Sequence, residues 1–144
     1  MRYPDFFDAV PRIRLHDPLA DFLGACDGGI IEYAYPDAVR LAGHSCPTVA
    51  GAYWLTHQAL RALYGEALPE RGGVRVAFRE SRTAGVTGVI ANVVSLLTGA
   101  TTDTGFKGLA GKLVPVEVFS LQGKKKVAGF QLTGIRLNRR ILPE

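Results

Sequence analysis

Residues 43–63 read GHSCPTVAGAYWLTHQALRAL, and this stretch combines the clearest helix signal with the most reactive side chains of the chain. A proline at the first position and apolar residues at a 3.6-residue spacing predict a long helix from about Pro47 to Leu63. Gly43 is expected to end the short helix that precedes it, and Gly65 is expected to end the long helix. A helix of this length needs other elements to cover its apolar side, so the rest of the fold is assigned around it.

The flanking segments predict three more helices and three strands. The helices are a short one after Asp17, a second at Pro36–Ala42 and a nearly all-apolar one at Val86–Leu97, and the strands are Gly73–Arg79, about Val114–Leu121 and about Val127–Leu137, the last two joined by a hairpin at Gln122–Lys125. This order predicts an α+β fold with helices packed on one face of a mainly antiparallel sheet.

The short helix after Asp17 has the clearest start. Asp17 is its expected cap and Pro18 its first residue, and we expect Leu19, Phe22 and Leu23 to form its buried face.

The chain has 144 residues, which predicts one domain. We divide it into a helical and loop segment at 1–34, a motif-bearing core at 35–112 and C-terminal strands with a basic tail at 113–144. Residues 1–105 carry 9 basic and 11 acidic side chains, a balance of −2, whereas residues 106–144 carry 8 and 2, a balance of +6. The positive charge is therefore confined to a tail whose lysines suit a solvated hairpin tip, and no nucleic-acid partner is predicted.

No segment approaches the ~18 consecutive apolar residues of a membrane helix, and no signal pattern opens the chain. These features predict a cytoplasmic protein with no membrane partner. In such a reducing compartment, Cys26 and Cys46 are expected as free thiols or metal ligands.

His44 and Cys46 lie directly before the long helix. The unpaired backbone N–H groups of a helix start favour negative charge, so we expect the pKa of the Cys46 thiol to be lowered. A thiolate beside an imidazole is either a pair of metal ligands or an activated nucleophile. The plainer alternative is a small core cysteine beside a satisfied histidine.

A metal site needs more ligands, and the chain offers His16, Asp17, Cys26, Asp27, Glu80 and Asp103. His57 is excluded as a partner of Cys46, because eleven helical residues separate the two by roughly 16 Å along the axis. We expect His57 on the helix surface or in an interface.

Residues 98–108 are rich in hydroxyl groups and glycines. Such a segment, with Lys107 as a cation, suits a carboxylate or a phosphate, although a plain solvated turn has the same composition. The ligand-binding candidates are Thr98, Thr101, Thr102 and Lys107.

These features match one known pattern: Gly43-His44-Ser45-Cys46-Pro47 before a helix that contains Ala50 and Tyr53, then Thr98-Gly99-Ala100-Thr101 followed by Lys107. Over about residues 35–112 the chain resembles the FmdE family, which takes its name from one component of formylmethanofuran dehydrogenase. The resemblance implies an α+β domain, often dimeric, in which His44 and Cys46 line a central cleft as metal ligands or catalytic residues. Ala100 stands where the family pattern has a cysteine.

The resemblance favours a metal-binding domain that holds zinc or another divalent transition metal next to a cleft for a small-molecule ligand. Because only two cysteines exist, the ligands would be His44, Cys46 and oxygen or water, with His16 or a second copy of the chain as a further source. Two alternatives stay open. One is a metal-free thiol enzyme with Cys46 as nucleophile and His44 as base, and the other is a non-catalytic ligand-binding or partner subunit.

Overall fold

The computed structural model describes residues 1–81, 83–102, 105, 118–120, 130–132 and 135–139. The α-helices of this part of the chain are α1 (Pro18–Phe22), α2 (Tyr35–Ala42), α3 (Pro47–Tyr64) and α4 (Thr87–Thr98). The strands are β1 (Ile13–His16), β2 (Ile30–Tyr33), β3 (Val74–Phe78), β4 (Val118–Ser120), β5 (Phe130–Leu132) and β6 (Ile135–Arg139).

The strands form two sheets. Strands β1 and β2 pair antiparallel, and a four-stranded sheet has the order β4-β3-β6-β5. In the larger sheet β6 is antiparallel to both β3 and β5, and β4 is parallel to β3. The predicted α+β class with a mainly antiparallel sheet is confirmed.

Helix α3 is the centre of the core and packs against α2, α4, β5 and β6. Its buried residues recur at helical spacing, as the sequence predicts, and include Val49, Tyr53 and Leu60. Strand β3 alternates buried valines at 74 and 76 with the exposed Arg75, which is the pattern of a strand with one wet face. Ile135 and Leu137 of β6 are buried beside it, so one face of the sheet closes the core.

The predicted apolar helix is also a helix, α4. Val93, Val94 and Leu97 are fully buried, whereas Val89 is partly exposed on the outer side. The helix ends at Gly99, which has φ +73°, and a Cβ atom there would lie 2.9 Å from the backbone nitrogen of Gly72. Only glycine meets both demands.

Helix α1 begins as predicted, but none of its residues is buried. The Asp17 carboxylate accepts from the backbone N–H groups of Leu19 (2.9 Å) and Ala20 (3.1 Å). Phe22 and Leu23 are 73% and 64% exposed, so the predicted buried face is wrong. With only five residues, α1 is too short to bring all three apolar side chains against the core.

The predicted hairpin at Gln122–Lys125 lies outside the described residues. The described strands on either side of it, β4 and β5, are not neighbours in the sheet order β4-β3-β6-β5. Residues 121–129 lie outside the described residues. The segment predicted as one strand at 127–137 contains β5 and β6, which pair with each other.

The first sheet was not predicted. Strands β1 and β2 have four residues each and lie among prolines and glycines, which leaves too few residues for a visible alternation. Among the described residues, no helix is both long enough and apolar enough to cross a membrane.

Candidate functional site

The candidate site lies in the short connection between α2 and α3. Gly43 ends α2 with φ +80°, and its N–H group donates to the carbonyl oxygen of Val39 (2.8 Å). Pro47 is the first residue of α3, and the fixed φ angle of proline suits that position. His44 and Cys46 are therefore held between two helix ends.

Cys46 occupies the N-cap position of α3 with an extended backbone, and it is half-buried. The Cys46 side chain makes no capping hydrogen bond. The pKa of its thiol is nevertheless lowered, mainly by the nearby backbone N–H of Val49 and also by that of Thr48 and by the neighbouring His44 ring. Partial desolvation raises the thiol pKa, but the net effect of all the causes is a lower pKa. The predicted direction of the pKa shift is confirmed, and the position favours the thiolate.

His44 is exposed, and one of its ring nitrogens is committed. Nδ1 lies 3.0 Å from the carbonyl oxygen of Ala42. Because a carbonyl oxygen can only accept, Nδ1 carries a proton, and in the neutral imidazole Nε2 therefore keeps its lone pair. A backbone carbonyl on the far nitrogen is also the usual support of a metal-ligating histidine.

Ser45 anchors the connection to the core. Its Oγ lies 2.7 Å from the hydroxyl oxygen of Tyr35, a residue that is only 5% exposed. In an extended segment, neighbouring side chains point apart and residues i and i+2 point the same way. The Ser45 anchor therefore fits an arrangement in which His44 and Cys46 share the other side. Sequence reasoning missed this role, although the alternation within residues 44–46 contains the signal.

His16 lies elsewhere in the fold. It is the last residue of β1, and its Nε2 is 3.3 Å from Oδ2 of Asp21. The His16 backbone also makes two hydrogen bonds of 2.8 Å. Its N–H donates to the carbonyl oxygen of Pro69, and its carbonyl oxygen accepts from the N–H of Arg71. Across the described ranges, no three His, Cys, Asp or Glu side chains gather in a way that could hold a metal ion. The structure thus does not group His16 with His44 and Cys46 within one chain.

The predicted ligand-binding threonines differ in their surroundings. Thr98 is fully buried, and its hydroxyl donates to the Val94 carbonyl (2.7 Å) and accepts from the Ala100 N–H (3.2 Å). Both hydrogen bonds of this hydroxyl are therefore made with backbone groups at the end of α4. Thr101 is partly exposed and Thr102 is exposed, so both present polar atoms at the surface.

Several further candidates lie outside the described residues. They are Asp103, Lys107 and the lysines at 124–126. Cys26 is described, and like Cys46 it is a free thiol.

Comparison with known proteins adds no relative: no family model, no curated protein and no solved structure matches the chain.

Proposed function

We propose that the protein is a metal-binding domain of the FmdE type, in which His44 and Cys46 hold zinc or a similar divalent ion beside a cleft for a small molecule. The observation that carries this proposal is the bond between His44 Nδ1 and the Ala42 carbonyl oxygen. It leaves Nε2, a nitrogen ligand, next to a thiol whose pKa is lowered.

The two side chains suit a soft to borderline cation. Thiolate and neutral imidazole are the usual protein ligands of zinc, and both must be deprotonated at the coordinating atom. The Val49 and Thr48 N–H groups favour the thiolate, and the Ala42 carbonyl fixes the imidazole tautomer. When bound, the ion would supply Lewis-acid or water-activating chemistry.

Two ligands from one chain leave room for others. Zinc is commonly four-coordinate, so water, a substrate or a second copy of the chain would fill the remaining positions. A homodimer with its ions at the interface is one such arrangement, and a reducing compartment such as the cytoplasm would preserve the thiol. Thr101, Thr102 and Lys107 remain the proposed polar wall of the ligand cleft.

The test is metal content after purification under reducing conditions. We expect close to one divalent ion per chain, or one per two chains where a homodimer shares it, and light scattering of the same sample separates these two forms. Substitutions His44→Ala and Cys46→Ser should remove the ion. The chain provides its own controls, because Cys26→Ser and His57→Ala change the same residue types elsewhere and should leave the ion bound.

A metal-free protein that is folded and reloads no zinc on dialysis would refute the proposal. Equal loss of metal from the Cys26→Ser variant would also count against it, since the ion would then not depend on the α2–α3 connection.

A metal-free thiol reaction is the second candidate, and the lowered pKa of Cys46 favours it as well. In that case Cys46 would be the nucleophile and the lone pair of His44 Nε2 would accept its proton. Alkylation by iodoacetamide in the presence and absence of a chelator separates the two functions. If a metal ion is bound, the chelator should speed the labelling of Cys46; if none is bound, labelling should be fast in both.

A further inference from the structure

A pocket of about 160 Å³ lies at the other end of α3 from Cys46. It is a half-open pocket lined by β1, by the last turns of α3 and by the segment at 65–69. Fifteen residues separate Cys46 from Arg61, which at 1.5 Å per residue places the two regions about 22 Å apart along the helix. The pocket is thus distinct from the His44–Cys46 pair.

Three guanidinium groups surround this pocket, from Arg12, Arg14 and Arg61. Two carboxylates partly balance them: Glu32 contacts Arg12 at 2.8 Å and Arg14 at 3.7 Å, and the charge of Asp8 also acts on Arg12. Arg61 makes no ion pair with any residue in the described part of the chain. Within this group of residues, three positive charges less two negative charges leave a surplus of one, and Glu32 contacts only Arg12 and Arg14.

The end of a helix works against an anion here, but weakly. The carbonyl end of α3 carries a partial negative charge of about half a unit. The guanidinium surplus is twice as large, and Arg61 lies in the last turn of α3, where it also offsets the helix dipole. The electrostatic balance of the pocket is therefore positive.

The inner surface of the pocket is apolar. Ile13, Leu60, Ala67 and Pro69 contribute carbon atoms, and Ile13 and Leu60 are almost completely buried. A cavity of about 150 Å³ with aliphatic walls holds one benzene molecule. The volume of this pocket therefore suits a body of one six-membered ring or an equivalent branched chain.

His57 lies between the pocket and Trp54, whose fluorescence can report binding in the pocket. Its ring lines the pocket and stacks on Trp54, with ring centroids 5.4 Å apart and planes 18° apart. Burial, and then the charge of Arg61, lower the pKa of His57, so the ring is neutral at pH 7 and offers a hydrogen-bonding nitrogen. Trp54 is the only tryptophan of the chain.

We propose that this pocket binds a small organic carboxylate, with its carboxylate at Arg61 and its apolar body, about the size of one ring, against Ile13 and Leu60. Charge at the rim and carbon at the floor together select this class over a bare inorganic anion or a neutral hydrocarbon. A guanidinium can bind a carboxylate through two parallel hydrogen bonds, which sets the orientation of the ligand.

The test is a titration of the 144-residue chain with cyclohexanecarboxylate, followed by Trp54 fluorescence and by calorimetry. Cyclohexylmethanol has the same ring without the charge, and inorganic phosphate has charge without the ring. We expect saturable binding of the carboxylate, and binding of either comparison compound that is at least tenfold weaker. Substitution Arg61→Gln should weaken carboxylate binding at least about tenfold. Arg40→Gln, on α2 and paired with Asp37, is the matched control and should leave binding unchanged.

Three results would overturn the inference: no heat and no fluorescence change with the carboxylate, equal binding of the alcohol, or unchanged binding in Arg61→Gln. None of them depends on metal at His44 and Cys46, so a failure here leaves the proposed function untouched.

Discussion

Tyr53 shows how one residue connects distant parts of the chain. It lies in α3 and is 1% exposed, and its hydroxyl lies 2.8 Å from the carbonyl oxygen of Pro11 and 3.2 Å from that of Tyr33. Burial is the main reason that its pKa is raised to about 12. A single hydroxyl therefore joins the central helix to the segment before β1 and to the last residue of β2.

Removing this hydroxyl should destabilise the fold. We expect Tyr53→Phe to lower the free energy of unfolding by about 1–2 kcal/mol, because two carbonyl groups lose a donor in a site closed to water. Urea denaturation measures the loss. Tyr3→Phe is the matched control: the buried Tyr3 hydroxyl has no hydrogen-bond partner among the described residues, so its removal should cost nothing. Equal losses in both variants would contradict the assignment.

The reactivity of Cys46 should depend on pH and on His44. The lowered pKa means that labelling by iodoacetamide rises at a pH below the ordinary thiol pKa of about 8.5. Substitution His44→Gln should move the midpoint to higher pH, but not fully to the ordinary value, because the Val49 and Thr48 N–H groups remain. Mass spectrometry of labelled peptides measures this in metal-free protein, with Cys26 in the same sample as the reference thiol. An unchanged midpoint in His44→Gln would contradict the role of the imidazole.

The sequence allowed part of this residue-level description to be predicted. The lowered thiol pKa follows from local chain geometry, since a cysteine before a proline-started helix lies near the first N–H groups of that helix. The hydrogen bonds of the Tyr53 hydroxyl could not be predicted from local geometry, because their acceptors are 42 and 20 residues away. Periodicity placed Tyr53 in the core but contains no information about which groups its oxygen contacts.

At the scale of elements, Asp17 joins a helix start to a distant loop. Besides capping α1, its Oδ2 forms an ion pair with Nη1 of Arg71 at 3.1 Å, and the Asp17 side chain is only 13% exposed. The Arg71 backbone in turn donates to His16. The end of β1, the start of α1 and the loop before β3 are thus held together.

Two variants separate the contributions of Asp17. We expect Asp17→Ala to lower the free energy of unfolding by about 1–2 kcal/mol, through loss of the cap and of the ion pair. Asp17→Asn keeps an oxygen for the cap but loses the charge, so its effect should be smaller. Thermal or urea denaturation ranks the variants, and an equal loss in both would assign the whole effect to the ion pair.

Element starts and stops were predicted better than element surroundings. The Asp17 cap, the Gly43 stop and the Pro47 start are local signals, and all three are confirmed. The exposure of Phe22 depends on which distant residues pack against it, and the neighbouring residues in the sequence do not indicate this. The proposed metal site is limited in the same way, since any further ligand that would join His44 and Cys46 is not local to residues 43–47.

For the whole molecule, the pH dependence of stability should include a contribution from His57. Burial and Arg61 lower its pKa in the folded protein, so below about pH 6.5 the unfolded chain binds a proton that the folded chain resists. The contribution is fully present above about pH 6.5 and is lost as the pH falls through the folded pKa. Urea denaturation at several pH values should show a shallower decline for His57→Gln than for the parent chain. An identical pH profile would show that the histidine titrates alike in both states.

The fold class was predictable for the whole chain, whereas the strand order was not. Alternation within residues 73–79 identifies a strand but says nothing of its neighbours. Its partners are β4 and β6, one parallel and one antiparallel, and both come from the far end of the chain.

This strand order has a consequence for synthesis. Val74 of β3 pairs with Arg139 of β6, a separation of 65 residues. At 5–20 residues per second, the ribosome needs about 3–13 s to make the chain between them. During that time β3 has an unpaired backbone edge, while α2, α3 and α4 can already associate. Until the last strands emerge, the nascent chain therefore carries an unpaired strand edge, and a pause or truncation before β6 should direct it towards aggregation rather than towards a smaller stable fold.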